Sequence, residues 1–407
     1  MTGKLPFAWS VIVVGARVSG SAAAWALAPY VDSVLLLDHS TATAFWPQPA
    51  SWDRNANLLW DDLGLLGDVH GCGAPPVLGH TFQTLDTVVR YSYPADDEHC
   101  YRMTVPRERL DPSLAQAAVR RGNVTLARPA KVTGVLREGD RVTGVDFILE
   151  GARRQARCGL LVLADGRVSR NADRLGAPPY MSNPSPWSSF VYYAGGLGLP
   201  PDHGYYSRQP GAMTVVLPCG PAQWCVSASI HAEQIARGGT APVRVFTDTV
   251  RADPLVGAAV ARGSRLSRAG GAGKLRMLRR PMAGPGWALV GDCGYFLDPL
   301  TALGVRAALV TVRLLRDRVA DAGGVLTPGL HAGLTAARDS LLRAEWERTV
   351  LMTGSHAVPP GQCERARVQA RDPAAALAAV RSQMGLPPSG PAHASSFARQ
   401  QAKEENR

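Results

Sequence analysis

No run of about eighteen apolar residues, the length that spans a bilayer, occurs anywhere in the 407-residue chain. Nor does the N-terminus set a charged region, an apolar stretch and a cleavage site in series. A soluble, cytoplasmic protein with no membrane span is therefore expected. Cysteine is sparse: the seven cysteines are odd in number, scattered and free of CxxC pairs, and the histidines do not cluster. These patterns argue against a disulfide framework or a structural zinc site, so reduced thiols and no metal are expected. Also missing is any segment that interleaves basic and aromatic residues. The net charge of +11 is dispersed and comes largely from arginine. That suits a basic face for an anionic cofactor or substrate better than a nucleic-acid surface, and no nucleic-acid partner is expected. The abundance of Ala, Arg and Gly also matches GC-rich coding, which inflates arginine without a functional reason. The length suits two or three domains, which can be interleaved.

What is present, first of all, is a phosphate-binding turn with one irregularity. In "VIVVGARVSGSAAAWALA", which begins at Val11, an apolar run stops at Gly15, and small residues follow Gly20 before Trp25 and Leu27. That is strand, turn, helix. In the dinucleotide-binding pattern GxGxxG the first glycine makes the tight turn, the second lets backbone approach pyrophosphate, and the third lets helix pack on strand. Gly15 and Gly20 hold the first and third places, and Arg17 stands at the second. A second apolar run, "VLLL", ends in Asp38, eighteen residues past Gly20, where a carboxylate can bond the ribose hydroxyls of an adenosine. The pyrophosphate then sits at the helix N-terminus, where free amides and the helix dipole favour an anion. A guanidinium there reaches over the phosphates or lies along the cofactor, so Arg17 need not spoil binding. The same residues also fit a tight turn in a ligand-free α/β domain, and the motif alone does not separate the two.

Downstream, "NANLLWDDLGLLGDV" reads as one helix ending near Gly67, "TVVRYSY" as a strand, and "PRERLDPSLAQAAVRRG" as a helix closed by Gly122. Two alternating strands in "KVTGVLREGDRVTGVDFIL" turn at Gly-Asp, and the buried-type strand "GLLVLADG" follows. From residue 180 to about 275 the texture changes to Pro, Gly, Tyr and Ser, with strands in "SSFVYYAGGL", "AMTVVLP" and "QWCVSASIH". This is an antiparallel sheet inserted between α/β parts. "GWALVGDCG" returns to an apolar strand meeting a glycine turn, before a helical pattern over 302–319 and a helix around 340–353. The Pro-, Ser- and Gln-rich tail from Gly385 predicts disorder.

Three motifs now stand in order: "GARVSG" from Gly15, "LADGRVSR" from Leu163 and "GDCGYFLDPLTALGV" from Gly291. The third has a physical case of its own. An acid ending an apolar strand, Asp292, can accept from ribityl hydroxyls. The small residues Ala302 and Gly304 admit a flat ring, and a helix N-terminus stabilises the anion of a reduced flavin. Gly304 is also expected to stand in a turn that needs positive φ. An ordinary capped helix after a strand is the alternative. On these motifs the chain resembles FAD-dependent monooxygenases of the para-hydroxybenzoate hydroxylase fold. It is more closely similar to the GxRxxG branch that includes geranylgeranyl reductase-like proteins, in which Arg17 is a family variant. The resemblance spans residues 11–317. It implies an α/β chain with a Rossmann-like, GR2-type FAD-binding domain, an inserted antiparallel-sheet substrate domain and a helical C-terminus. The FAD-binding domain is expected in three parts, 1–75, 101–178 and 276–320. Substrate-domain strands are expected over 76–100 and the substrate sheet over 179–275, with C-terminal helices over 321–384 and a disordered tail over 385–407.

The resemblance also distributes roles. Gly15, Arg17, Gly20 and Asp38 would hold the adenosine and pyrophosphate, Gly291 and Asp292 the ribityl chain, while Pro299, Thr301 and Gly304 would flank the isoalloxazine. Arg107 matches the arginine of an RxxLD segment near the cofactor, and Arg109 competes for that place. Asp165 and Gly166 match a DG motif that positions FAD and pyridine nucleotide in relatives, although Leu163 replaces the glycine that often starts it. FAD is the implied cofactor, with NADH or NADPH as electron donor. A halogenase is expected to carry a WxWxIP segment and a positioned lysine, and neither is found in the sequence. The expected reaction is oxygen insertion (hydroxylation, epoxidation or a related step) through a flavin C4a-hydroperoxide, tailoring a secondary metabolite. It needs no fixed acid–base triad, because the protein mainly excludes water and orients the substrate. The substrate is expected to be a small molecule, aromatic or polyketide-like. Tyr192, Tyr205, Tyr206, Met213 and Trp224 are the candidate pocket residues, and each also fits core packing. A reductase or dehydrogenase acting on a carbon–carbon bond is the second reading, and a non-catalytic binding module of the same fold the third.

Overall fold

The computed structural model describes residues 6–41, 48–239 and 241–387. All but the first three residues of the expected disordered tail, 385–407, lie outside them. Among the described residues, one sheet runs in the order β19 (Ala283–Gly284), β20 (Trp287–Leu289), β10 (Ala152–Leu163), β1 (Ala8–Val14), β2 (Val34–Leu37) and β7 (Val124–Ala127). From β20 to β7 all neighbours are parallel. Parallel strands need cover on both faces, which is why β2 and the second half of β10 are unbroken apolar runs. Helices α1 (Val18–Leu27), α4 (Arg107–Val119) and α9 (Gly304–Asp321) bury one face. On the other lies an antiparallel ribbon of β8 (Ala130–Glu138) and β9 (Arg141–Leu149), which continues into β10. The C-terminal ends of the parallel strands therefore share one edge, where ligands of open α/β sheets bind.

The second sheet runs β16 (Ser264–Arg265), β12 (Trp187–Gly195), β15 (Gln223–His231), β14 (Ala212–Gly220), β13 (His203–Gln209), β4 (Gly79–Thr84) and β5 (Thr87–Ser92), with β17 (Gly270–Ala272) also on β12. It is antiparallel except where β13 meets β4. Its outer face packs under α7 (Pro242–Arg251) and α8 (Gly257–Arg262) through Phe190, Phe246 and Val260. At its far edge α12 (Pro360–Arg371) and α13 (Pro373–Gln383) cover β5. Smaller elements complete the chain. The ribbon of β3 (Pro49–Trp52) and β6 (Met103–Pro106) and the sheet of β11 (Met181–Pro184), β18 (Arg276–Arg279) and β21 (Tyr295–Phe296) are antiparallel. Short helices α5 (Arg170–Arg174) and α6 (Ala232–Arg237) follow β10 and β15.

The segment expected to be one helix over "NANLLWDDLGLLGDV" is two, α2 (Arg54–Asp62) and α3 (Leu66–His70). Gly64 takes φ +69°, and the Leu65 amide reaches back to the Trp60 carbonyl at 2.8 Å. That left-handed stop ends α2 before the apolar pattern does. Likewise the helix expected around 340–353 is α11 (Arg343–Thr353), preceded by a separate α10 (Leu334–Leu341).

Arg338 on α10 is fully buried. It donates to the Tyr180 hydroxyl at 2.7 Å, to Asp339 Oδ1 at 2.8 and 3.0 Å, and to the Gly294 carbonyl at 3.3 Å. One side chain thus ties the C-terminal helices to the strand-end turn of the first sheet. Arg338→Leu removes every one of these donors, and roughly 3 kcal/mol of stability is expected to go with them. Chemical denaturation measures this, and an unchanged midpoint would show that the side chain contributes packing alone.

Candidate active site

The three motifs meet because Gly15, Gly20 and Gly291 leave room for nothing else. Gly15, at φ +103°, ends β1, and a Cβ there would lie 2.5 Å from the Ala164 carbonyl oxygen at the end of β10. A Cβ on Gly20 would overlap the Gly15 carbonyl, so α1 lies against the turn only with glycine at that place. Gly291, at φ +63°, leaves no space for a Cβ beside the Ser19 hydroxyl on α1, and its amide donates to Thr311 on α9 at 2.9 Å. Asp165 accepts from Asn171 at 2.9 Å and from the Cys293 thiol at 3.3 Å. First, second and third motifs therefore line one edge of the parallel sheet.

Two long helices point uncapped N-termini from this region. Neither Arg17 at the start of α1 nor Leu303 at the start of α9 caps its helix with a side chain, and neither first turn contains an acid. Their leading amides lack an intrahelical partner and are suited to an anion. Beside α9, a Cβ on Gly304 would meet nothing within 4 Å. Gly304 does not hold the expected positive φ. Ala302 takes it instead, at +53°, because it closes the single 3-10 turn Pro299–Thr301 before α9 begins. Asp298, missed in the sequence, caps that turn by accepting the Leu300 amide at 2.9 Å, and burial pushes its carboxyl up. Thr301 meets Thr349 of α11 at 3.1 Å, hydroxyl to hydroxyl. Two free helix ends, a glycine-lined turn and open space beside α9 make a donor set that fits an anionic flavin dinucleotide.

The charged groups sort by partner. Asp38 is buried, with Oδ2 accepting the Ala16 amide at 2.6 Å and Oδ1 accepting the Ser40 amide at 2.7 Å. It fixes the phosphate turn as well as standing where a ribose would lie. Arg107 makes a two-point pair with buried Asp111 at 2.7 and 2.9 Å, and half-exposed Arg17 stands 4.0 Å from the same carboxylate. Its competitor Arg109 turns away to the Cys219 and Cys72 carbonyls and is committed to the second sheet. Burial pushes the Asp292 carboxyl up to about 6, against the pull of Arg107 and Arg167.

Of the five candidate pocket residues the strand alternation divides three from two. Tyr192, Tyr205 and Trp224 belong to the cluster under α7 and α8, on the outer face. They are core there, a correction forced by side chains alternating at every residue: neighbours Tyr205 and Tyr206 face opposite ways. Tyr206 and Met213 lie on the inner face with Trp187, Phe82 and Leu300. Phe82 and Trp187 went unnoticed in the sequence, although Trp187 lies in register with β15 residue His231. The histidines, unclustered in sequence, do meet in space: the His231 and His356 rings lie 5.0 Å apart, with Glu233 close by. His231 Nδ1 already accepts the Glu233 amide at 3.3 Å, and the neighbouring Arg208 charge opposes a cation there.

Residues 8–240 match the family described as FAD binding domain. None of the curated proteins matches the sequence. Similar solved structures include the myxobacterial chondrochloren halogenase CndH, at 20% identity and TM-score 0.74 over 89% of this chain and 90% of that one. The p-nitrophenol 4-monooxygenase PnpA from Pseudomonas putida DLL-E4 is similar at 14% identity and TM-score 0.74, over 93% and 97%. PqsL, a probable FAD-dependent monooxygenase from Pseudomonas aeruginosa, is similar at 18% identity and TM-score 0.70, over 84% and 94%. Among the described residues no helix is long and apolar enough to cross a membrane. The chain belongs to the FAD-binding-domain family, and it shares its fold with these flavin-dependent structures.

Proposed function

We propose that the enzyme inserts oxygen into a small aromatic or polyketide-like molecule, tailoring a secondary metabolite in the cytoplasm with NADH or NADPH as donor. The observation that carries this reading is the apolar inner face of the second sheet. Trp187, fully buried, and Met213 pack directly on Leu300 of the turn that precedes α9. A dry surface thus abuts the segment read as flanking the isoalloxazine. FAD, when bound, supplies electron transfer from the nicotinamide and activation of dioxygen. The chain's own part is to hold and to exclude. The α1 amides hold the pyrophosphate, and Asp38 Oδ2, which accepts the Ala16 amide, keeps a lone pair for a ribose hydroxyl. Asp292 accepts from the ribityl chain. The α9 amides present positive charge to the pyrimidine edge, while Trp187, Met213 and Phe82 keep water from the substrate.

A halogenase fold is equally similar overall, but the described lysines do not favour that chemistry. Lys131 on β8 and Lys274 between β17 and β18 are both exposed, and neither belongs to the inner face. The test is oxygen uptake with NADH and NADPH over a panel of aromatic and polyketide-like compounds. Oxygen-dependent donor consumption with a product gaining one oxygen atom supports the proposal. Anaerobic turnover that saturates a carbon–carbon bond, or a halogenated product, refutes it.

Two outcomes are expected of variants. Gly304 has ordinary φ and open space, so Gly304→Val should fold and keep FAD while crowding the ring. Stopped-flow absorbance should show flavin reduction or reoxidation slowed roughly tenfold or more; parent rates in both half-reactions would mean that this segment does not face the isoalloxazine. For Asp292 the sign follows from the raised carboxyl. Ribityl hydroxyls donate to the ionised form, so FAD affinity should rise as pH climbs through about 6. One pH unit below that value, affinity should be down about tenfold relative to the plateau. Asp292→Asn should bind more weakly with a flat profile between pH 5 and 8, as read by quenching of FAD fluorescence. A wild-type profile equally flat would remove Asp292 from the site.

A further inference from the structure

Resting on the reading of the inner face as the substrate surface, the geometry points to a subsite for a carboxylate on the substrate, held by Arg102 and Arg348. Arg102 precedes β6 and is buried, with its guanidinium 5.8 Å from the centre of the Tyr206 ring. Among the described residues no carboxylate lies within ion-pair distance of it, its Nε has no hydrogen-bond partner, and neither does the Tyr206 hydroxyl beside it. Two of its neighbours are neutral. Tyr93 hydrogen-bonds with it, and His80, 3.1 Å from the Tyr93 hydroxyl, is pushed down to about 3 by burial.

Helix α11 packs against the same inner face. Glu345, Arg348, Thr349 and Met352 are spaced to share one face of that helix. Thr349 touches Thr301, Met352 joins the Trp187, Met213 and Leu300 cluster, and Glu345 is taken by Arg306 at 2.5 Å. Arg348 is left without a hydrogen bond or an ion pair among the described residues. Its pKa is lowered by burial first and by the Arg102 charge next, so the two guanidiniums feel one another. Asp53 acts on both, but beyond 4 Å, and one of its oxygens caps α2 at Asn55. With Glu345 already paired to Arg306, two cations against one distant carboxylate leave a surplus positive charge at the edge of the apolar face. A buried guanidinium with an unpaired donor, in the field of a second cation, calls for an anion. A flat apolar body against Trp187 and Met213, with a carboxylate reaching Arg102 and Arg348, satisfies both halves of the surface.

The test is equilibrium dialysis of the FAD-loaded enzyme against aromatic acids and their neutral amides, benzoate with benzamide and indole-2-carboxylate with its amide. At least one acid should bind about tenfold tighter than its amide. Arg348→Gln, on an exposed residue, should abolish that preference with FAD content and thermal midpoint unchanged, and Arg348→Lys should restore part of it. Arg102→Gln should act likewise where it folds. Equal affinity for every acid and amide overturns the proposal, as does a preference that survives Arg348→Gln. Displacement of the acid by chloride at matched concentration also overturns it, since the subsite would then belong to an inorganic anion. Dialysis requires no turnover, so a failure to insert oxygen would sink the functional reading and leave this result standing.

Discussion

The architecture depends on backbone meeting backbone at three glycines. Gly15 and Gly20 let α1 and the end of β10 close on the first turn, and Gly291 lets the third motif close on Ser19. No side chain fits at any of these contacts. Because Gly15 and Gly291 also take left-handed conformations, even alanine would be strained there. This close approach brings the C-terminal ends of β1, β10 and β20 to one edge and leaves the α1 amides facing outward. Everything placed at that edge, from Asp38 clamping the Ala16 amide to Asp165 accepting from Cys293, inherits its position from that contact.

The second sheet is built on a different constraint. Its outer face is closed by α7 and α8 and its edge by α12 and α13, so only the inner face remains to meet the first sheet's turns. Leu300, held in a 3-10 turn by Asp298, is the residue that crosses between them. The juxtaposition sets an electrostatic contrast. On one side lie helix N-termini and arginines suited to anions, and on the other an apolar wall of Trp187, Met213 and Phe82. Oxygen insertion by a flavin needs both, because charge must be stabilised where it develops while water is kept away.

The phosphate turn was legible in the sequence because its signal is local: an apolar strand, two glycines five residues apart and an acid after the next strand. The same holds for β12, β14 and β15, whose alternation is written in adjacent residues. What the sequence hid was set by distant partners. Which of Tyr205 and Tyr206 faces the site depends on where α7 packs, and the strand β13 that carries them was not seen as a strand. The pairing of β4 with β13, and the burial of β5 under α12 and α13, join segments far apart in the chain. Gly64 splits a helix whose apolar pattern runs on without interruption. Ala302 takes a left-handed turn that residue type assigns to glycine. Arg102 and Arg348 look like ordinary surface arginines until the fold sets them at one apolar face with no ion-pair partner among the described residues.

The central claim, that this fold holds FAD across the three motifs, is tested most directly by purifying the protein, recording its visible spectrum and identifying any flavin released on denaturation. The account predicts a flavin band and equimolar FAD, acquired on purification or on adding FAD to the stripped protein, with FMN binding far more weakly because the α1 amides and Asp38 are suited to pyrophosphate and adenosine. A protein that binds no flavin, or takes FMN as readily as FAD, would contradict it.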